Sequence, residues 1–297
     1  MEIRKIAVFG GGVMGAGIAQ DAAAHGLEVV LVDRVEEGLA FARKAIEDSL
    51  NRELQRWGIT GSEKKIILSH IKFTLNPDDV GSADVVIEAI PDDLAAKQDL
   101  FAQLEQQFER VCPDSVIYVS NTAVLPITDI ALKMIHKDRL VGMHFLAPVP
   151  SIKLVEMVRS VHTSEATVDR AKELARRLDK TPVDVLENPG YITARLVVPL
   201  INEAIDLYQE GTASKEDIDA AMRLGFGFNK GPFALADQIG LDVVLGWCDN
   251  LFHELGGRKY RPQAVVRHLV RKGNLGVKTG KGFYDYSASD GNGEAKK

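Results

Sequence analysis

Two side chains twelve positions apart, His144 and Glu156, are the first in this sequence whose types and spacing suggest chemistry. They lie in VGMHFLAPVPSIKLVEMV, residues 141–158, and the midpoint between them is Pro150, within the Pro-rich turn 147–150. If the flanking segments pair antiparallel around that turn, the two residues are directly opposed. Opposed Cβ atoms sit roughly 4.5–5.5 Å apart, close enough for a carboxylate to hold an imidazole as an oriented general base. A plainer alternative is a His and a Glu on neighbouring strands that satisfy one another, and on this stretch alone the plainer one is preferred. A second constellation lies at the start of the chain. KIAVFGGGVMGAGIAQ contains G-x-G-x-x-G as Gly10, Gly12 and Gly15, with Val13 and Met14 in the same turn. The glycines suit a tight turn, the close approach of a pyrophosphate and the packing of a helix on a sheet. Alone the motif is weak. Here the next strand ends in Asp33, eighteen residues after Gly15, where a carboxylate can take both ribose hydroxyls of NAD and would repel a 2′-phosphate. Arg34 leaves a small opening for NADP and reads as a residue near adenine or at the surface.

These residues need elements to position them. Short β-branched runs at 3–10, 27–33, 83–90, 115–120, 139–145 and 152–158 alternate with helix-length segments. Near-continuous apolar strands separated by helices predict a largely parallel sheet covered on both faces, an α/β doubly wound domain. Residues 34–70 read as two helices, an antiparallel hairpin in place of a single crossover. His144 falls at the C-terminal end of a late strand, where open α/β sheets bind their ligands. A nicotinamide site gives it a task, because hydride removal from an alcohol needs a base for the hydroxyl proton, and His suits neutral pH. The other histidines lie in helices, loops or helix ends and read as structural or solvated.

Around ENPGY (187–191) the pattern changes to helices, and the next strand-like run is GFYDY near the end. Ser214 is a candidate N-cap with Asp217 at the capping-box position, and Pro199 should bend the helix that contains it. GPFALADQIGLDVVLGWCDNLFHELGG reads as one helical segment. The expected division is a Rossmann-like domain at 1–187, an all-helical domain at 188–286 and a disordered polar tail at 287–297. With 297 residues, 45% hydrophobic and 26% charged, the chain has the composition of an ordinary globular protein. Its net charge of −6 argues against a phosphate-backbone binder. Two cysteines without CxxC spacing argue against a disulfide framework or a zinc site and fit a reducing cytosol. No metal is expected. No apolar run approaches ~18 residues, and the start shows no signal peptide.

Taken together, GGGVMGAGIAQ, VVIEAI, SNTAVLPIT, GMHFLAPVPSIKLVEMV, ARLVVPLINEAI, GPFALADQIGLD and GVKTGKGFYDY resemble the short-chain L-3-hydroxyacyl-CoA dehydrogenases, including bacterial 3-hydroxybutyryl-CoA dehydrogenases. The resemblance extends to about residue 286. It implies reversible, NAD-dependent oxidation of a 3-hydroxyacyl-CoA to the 3-ketoacyl-CoA, with His144 as general base and Glu156 orienting it. It also implies cofactor contacts from Asp33, Asp92, Lys97 and Asn121, with Lys278 near the nicotinamide end, and CoA contacts from Ser49 and Arg56. Ser49 and Arg56 are seven residues apart and share a helix face. A cytoplasmic homodimer acting in fatty acid metabolism, with its active site in the cleft between the domains, completes the expectation.

By the same resemblance, the chain departs from that family at places near the substrate, the nicotinamide and the cofactor. SNTS reads SNTA here, HFFNP reads HFLAP, and VNR reads TAR, which puts Ala123, Ala147 and Ala194 where polar side chains are usual. Asp92 stands where Glu is commoner, and FNKGP puts Asn229 and Lys230 in place of Pro and Met. Losing one preorganised donor can cost ~10²–10³ in rate. Three readings follow: an ordinary dehydrogenase that tolerates the alanines, the same chemistry on a bulkier or non-CoA hydroxy substrate, and an NAD-binding sensor with weak turnover. The retained His–Glu pair weighs against the last.

Overall fold

The computed structural model describes residues 2–109 and 116–287, so Cys112, Ser115 and the tail from 288 lie outside the described residues. The chain forms two compact units, Met1–Asn188 and Pro189–Lys297.

In chain order the first unit contains β1 (Lys5–Phe9), α1 (Val13–Ala24), β2 (Glu28–Val32), α2 (Glu36–Gln55), α3 (Gly61–Ser69), β3 (Ile71–Thr74) and β4 (Val85–Glu88). It continues with α4 (Leu94–Glu109), β5 (Ile117–Ser120), α5 (Ile127–Ile130), β6 (Leu140–Phe145), β7 (Leu154–Arg159), α6 (Glu165–Arg177) and β8 (Thr181–Leu186). Among the described residues these strands make one eight-stranded sheet in the order β3-β2-β1-β4-β5-β6-β7-β8. All neighbours are parallel except β6 and β7. The strands β1, β2, β4, β5 and β6 are buried almost throughout, because helices cover both faces. β1 and β4 are neighbours although β2 and β3 intervene in the chain. The strand order reverses there, which is where such sheets open a ligand crevice.

Two strands escaped the sequence reading, β3 and β8, and both are edges. β3 is only four residues, IKFT, and follows directly on the end of α3. β8, TPVDVL, is largely exposed and contains Pro182, which an edge strand tolerates and a central one does not. The α2–α3 hairpin has a clear local logic. Leu39, Ala42, Ile46 and Leu50 form the buried stripe of α2 at helical spacing. Thr60 opens α3 with a full capping box: its hydroxyl accepts the Glu63 N–H, and Glu63 accepts the Thr60 N–H. Between the helices Trp57 takes a positive φ of 59° and is 94% exposed.

The second unit contains α7 (Thr193–Gln209), α8 (Lys215–Phe226), α9 (Pro232–Ile239), α10 (Leu241–Leu255) and α11 (Ala264–Arg271). Ser214 caps α8 by accepting the Asp217 N–H, and α7 continues through Pro199. Two expectations are corrected. The long segment 231–257 is two helices, because Gly240 at φ +104° breaks it. GFYDY makes no strand, only isolated bridges from Lys281 to Gly276 and Asp285. It is held by Asp237, which accepts the N–H groups of Phe283 and Tyr284 at 2.9 Å and the Tyr286 hydroxyl at 3.1 Å. Paired to a carboxylate, this backbone has no need of a neighbouring strand.

Candidate active site

Three groups of side chains meet the C-terminal ends of the central strands of the first unit. The first is the glycine turn after β1. Gly10 has φ +111°, and a Cβ there would lie 2.6 Å from the Ala89 carbonyl oxygen at the end of β4. A Cβ at Gly15 would lie 1.8 Å from the Gly10 oxygen, so α1 can start this close to the strand only on glycine. Gly12, by contrast, faces open space and caps α1 without a side chain, which leaves the first N–H groups of a twelve-residue helix, from Val13 and Met14 on, pointing outward. Asp33 Oδ2 accepts the Gly11 N–H at 2.6 Å and Oδ1 accepts the Val35 N–H at 3.1 Å. Each oxygen retains a further lone pair, so the carboxylate remains able to receive ribose hydroxyls. The turn, the uncapped helix start and the half-buried acid together fit NAD.

The second group was only partly read from the sequence. Glu88, the last residue of β4, is fully buried and accepts from Lys97, from the Ser120 hydroxyl at 2.7 Å and from the Ile90 N–H at 2.8 Å. Lys97, an expected cofactor contact, is itself fully buried. Besides Glu88 it donates to the Ile90 carbonyl at 3.1 Å and pairs with Asp92 at 3.3 Å. Lys97 is thus committed to shaping the loop after β4, and Asp92 is the half-exposed member that reaches outward. Burial pushes the Glu88 carboxyl above the usual carboxylate range, opposed chiefly by the Lys97 ammonium. Glu88 and Ser120 were missed, although a lone acid inside the apolar run VVIEAI was a visible signal for Glu88.

The third group is the histidine pair. β6 and β7 are antiparallel, and their register sets His144 opposite Glu156. His144 Nδ1 and Glu156 Oε2 are 2.6 Å apart, with the two residues 4% and 1% exposed. The antiparallel turn produces this pairing, as the twelve-residue spacing predicted. Asn121 follows β5, and its side-chain oxygen accepts the Phe145 N–H at 3.1 Å, pinning the backbone next to His144. Its own N–H goes to the Glu88 carbonyl at 2.9 Å, which links the second and third groups.

The other expected residues lie on both units. Ala123 is buried in the loop after β5, and Ala147 is half-buried at the cis peptide before Pro148. Ser49 is half-buried on α2, and Arg56 is exposed at that helix's C-terminus. Ala194 and Lys278 belong to the second unit: Ala194 is fully buried in the first turn of α7, and Lys278 pairs with Asp242 at 2.6 Å. Among the described residues no group of three His, Cys, Asp or Glu could hold a metal ion, and no helix is long and apolar enough to cross a membrane.

Comparison with known proteins identifies the family. Residues 5–188 match the 3-hydroxyacyl-CoA dehydrogenase NAD binding domain, and residues 190–286 match the C-terminal domain of the same family. The chain is 43% identical over 286 residues to a probable 3-hydroxybutyryl-CoA dehydrogenase of Bacillus subtilis, covering 96% of this chain and 98% of that one. Among solved structures it is similar to FadB2 of M. tuberculosis, with a TM-score of 0.90, 35% identity, and coverage of 96% of this chain and 100% of that one. It also resembles the (S)-3-hydroxybutyryl-CoA dehydrogenase PaaH1 of Ralstonia eutropha, with a TM-score of 0.83, 38% identity, and coverage of 96% and 99%. Matched along nearly its whole length, the chain belongs to the 3-hydroxyacyl-CoA dehydrogenase family.

Proposed function

We propose that this protein oxidises the 3-hydroxyl of an L-3-hydroxyacyl-CoA, of the 3-hydroxybutyryl-CoA type, to the ketone, reversibly and with NAD, and that His144 and Glu156 handle the proton. The observation that carries the reading is the buried 2.6 Å contact between His144 Nδ1 and Glu156 Oε2 in a nucleotide-binding fold. The Glu156 carboxylate holds the Nδ1–H tautomer, so the proton of the substrate hydroxyl is taken at Nε2. The same carboxylate stabilises the imidazolium that results, and in the reverse direction His144 returns that proton to the keto oxygen. NAD, when bound, supplies the hydride acceptor. Gly10, Gly12, Val13, Met14 and Gly15 receive its pyrophosphate, Asp33 its adenosine ribose, and Asp92 and Asn121 lie on the loops that continue the same edge. Ser49 and Arg56 offer the CoA portion a hydroxyl and a guanidinium, the latter well suited to phosphate. The protein works as a homodimer, a reading supported by the apolar side chains that the second unit exposes on α8, Leu224 at 82% and Phe226 at 76%.

A second reading is favoured by Ala123 and Ala147. Both put methyl groups where the family resemblance implies polar side chains, which would suit a bulkier or less polar acyl group. The test of both is steady-state NADH oxidation with acetoacetyl-CoA and with a bulkier 3-ketoacyl-CoA. His144→Ala and Glu156→Gln should each lower kcat by ~10²–10⁴. Turnover of the bulkier thioester alone would favour the second reading. Failure of both substrates in a protein that still binds NADH would overturn the assignment.

A further inference from the structure

Lys180, between α6 and β8, is only 5% exposed and belongs to none of the three groups of the candidate site. Its ammonium donates to the carbonyls of Val149 at 2.7 Å and Ile152 at 2.9 Å. It also lies 2.9 Å from Oδ2 of Asp21, a carboxylate on α1 that is 3% exposed. The two carbonyls belong to the turn whose ends carry His144 and Glu156, and α1 is the helix whose N-terminus is the glycine turn. One turn earlier on the same face of α1, Gly17 touches that turn directly: a Cβ there would lie 3.1 Å from Val149 Cβ and Cγ2. His25 also lies beside Asp21, its Nδ1 3.6 Å from Oδ1, and Lys153 adds a weaker attraction.

Stability is a weak reason to build such a pair. Removing an ammonium and a carboxylate from water is costly, and apolar residues of similar volume often hold a fold as well or better. Burial indeed pushes the Asp21 carboxyl above its usual range, with Lys180 acting against it. What two apolar side chains cannot do is fix two carbonyls and a helix at set distances from one point.

We propose that Lys180 and Asp21 are positioning residues for hydride transfer, setting the turn between His144 and Glu156 against the nucleotide-binding helix. The inference rests on the reading of His144 as the base. Misplacing reacting groups by about 1 Å can cost ~10² in rate, so the effect should fall on the chemical step rather than on binding.

The test uses two variants, Asp21→Asn/Lys180→Met, which leaves no lone buried charge, and Asp21→Asn, which keeps volume and every turn contact. Each is assayed with NADH and acetoacetyl-CoA, with NADH binding followed by fluorescence and the isotope effect measured with NADH deuterated at the transferred position. The double variant should lose ~10–10² in kcat while KM for the thioester and the affinity for NADH change little. Its isotope effect on kcat should rise as the hydride step becomes limiting. A lower Tm with unchanged kcat and unchanged isotope effect would make the pair purely structural and overturn the proposal. If the double variant does not fold, Asp21→Asn decides by the same two readouts. His144→Ala with wild-type turnover would instead remove the base assignment, a failure separable from that of the clamp.

Discussion

At the scale of single residues, the arrangement is governed by how buried charges are compensated. Glu88 and Lys97 have no solvent on either side, and each is the other's main electrostatic partner. Removing one partner of such a pair costs ~3–5 kcal/mol, so Lys97→Met should lower the unfolding free energy by that amount in urea titrations. Asp92→Asn, at the half-exposed end of the network, should cost under about 1 kcal/mol. Equal losses in the two variants would show that Glu88 does not depend on Lys97. The sequence was unevenly informative here. His144 and Glu156 were legible because a Pro-rich turn sits midway between them, and strand geometry does the rest. Asp33 was legible from its distance to Gly15. Glu88 and Ser120 were not, since their meeting depends on β4 and β5 being neighbours, a fact of sheet order that no local spacing encodes. Lys180 and Asp21 were equally hidden, brought together from 159 positions apart in the chain.

At the scale of elements, the tip of the α2–α3 hairpin and the anchor of the C-terminal segment make opposite predictions about exposure. Trp57 stands in solvent beside Arg56, whereas the only other tryptophan, Trp247, is buried in α10. If the hairpin receives CoA, adding CoA should change the tryptophan emission, and Trp57→Phe should abolish that change. Constant emission at saturating CoA would place the nucleotide elsewhere. In the second unit Tyr284 and Tyr286 donate to Asp219 and Asp237, and burial followed by these acids raises both phenols above their ordinary range. A raised folded-state pKa contributes stability that is complete below about pH 10 and is lost as pH rises through the folded value. The protein should therefore unfold steeply above about pH 10, and Tyr286→Phe should flatten that loss while lowering stability at neutral pH. A wild-type alkaline transition unaltered by the substitution would contradict it. The central strands were legible as apolar runs. β3 and β8 were not, because edge strands lack the two-sided burial that writes such a run, and GFYDY mimicked a strand while relying on a side-chain acid for its backbone.

At the scale of the molecule, the proposed homodimer rests on Leu224 and Phe226, which the helical unit leaves largely exposed. Sedimentation should give twice the chain mass, and Leu224→Glu/Phe226→Glu should give a monomer. A wild-type monomer at micromolar concentration would remove the dimer from the proposal. The alternation of strands and helices made the fold class readable, since periodicity survives whatever the loops do. The antiparallel pairing of β6 with β7 has a consequence for how this enzyme can diversify. Along a strand, successive side chains alternate between faces, so one residue inserted into β6 or β7 between His144 and Glu156 would turn the carboxylate away from the ring, whereas the turn joining the strands can absorb one. Replacing a residue there, as at Ala147, leaves the alternation intact. Descendants of this chain can therefore rewrite side chains of the turn, while the place of each partner on its strand is inherited.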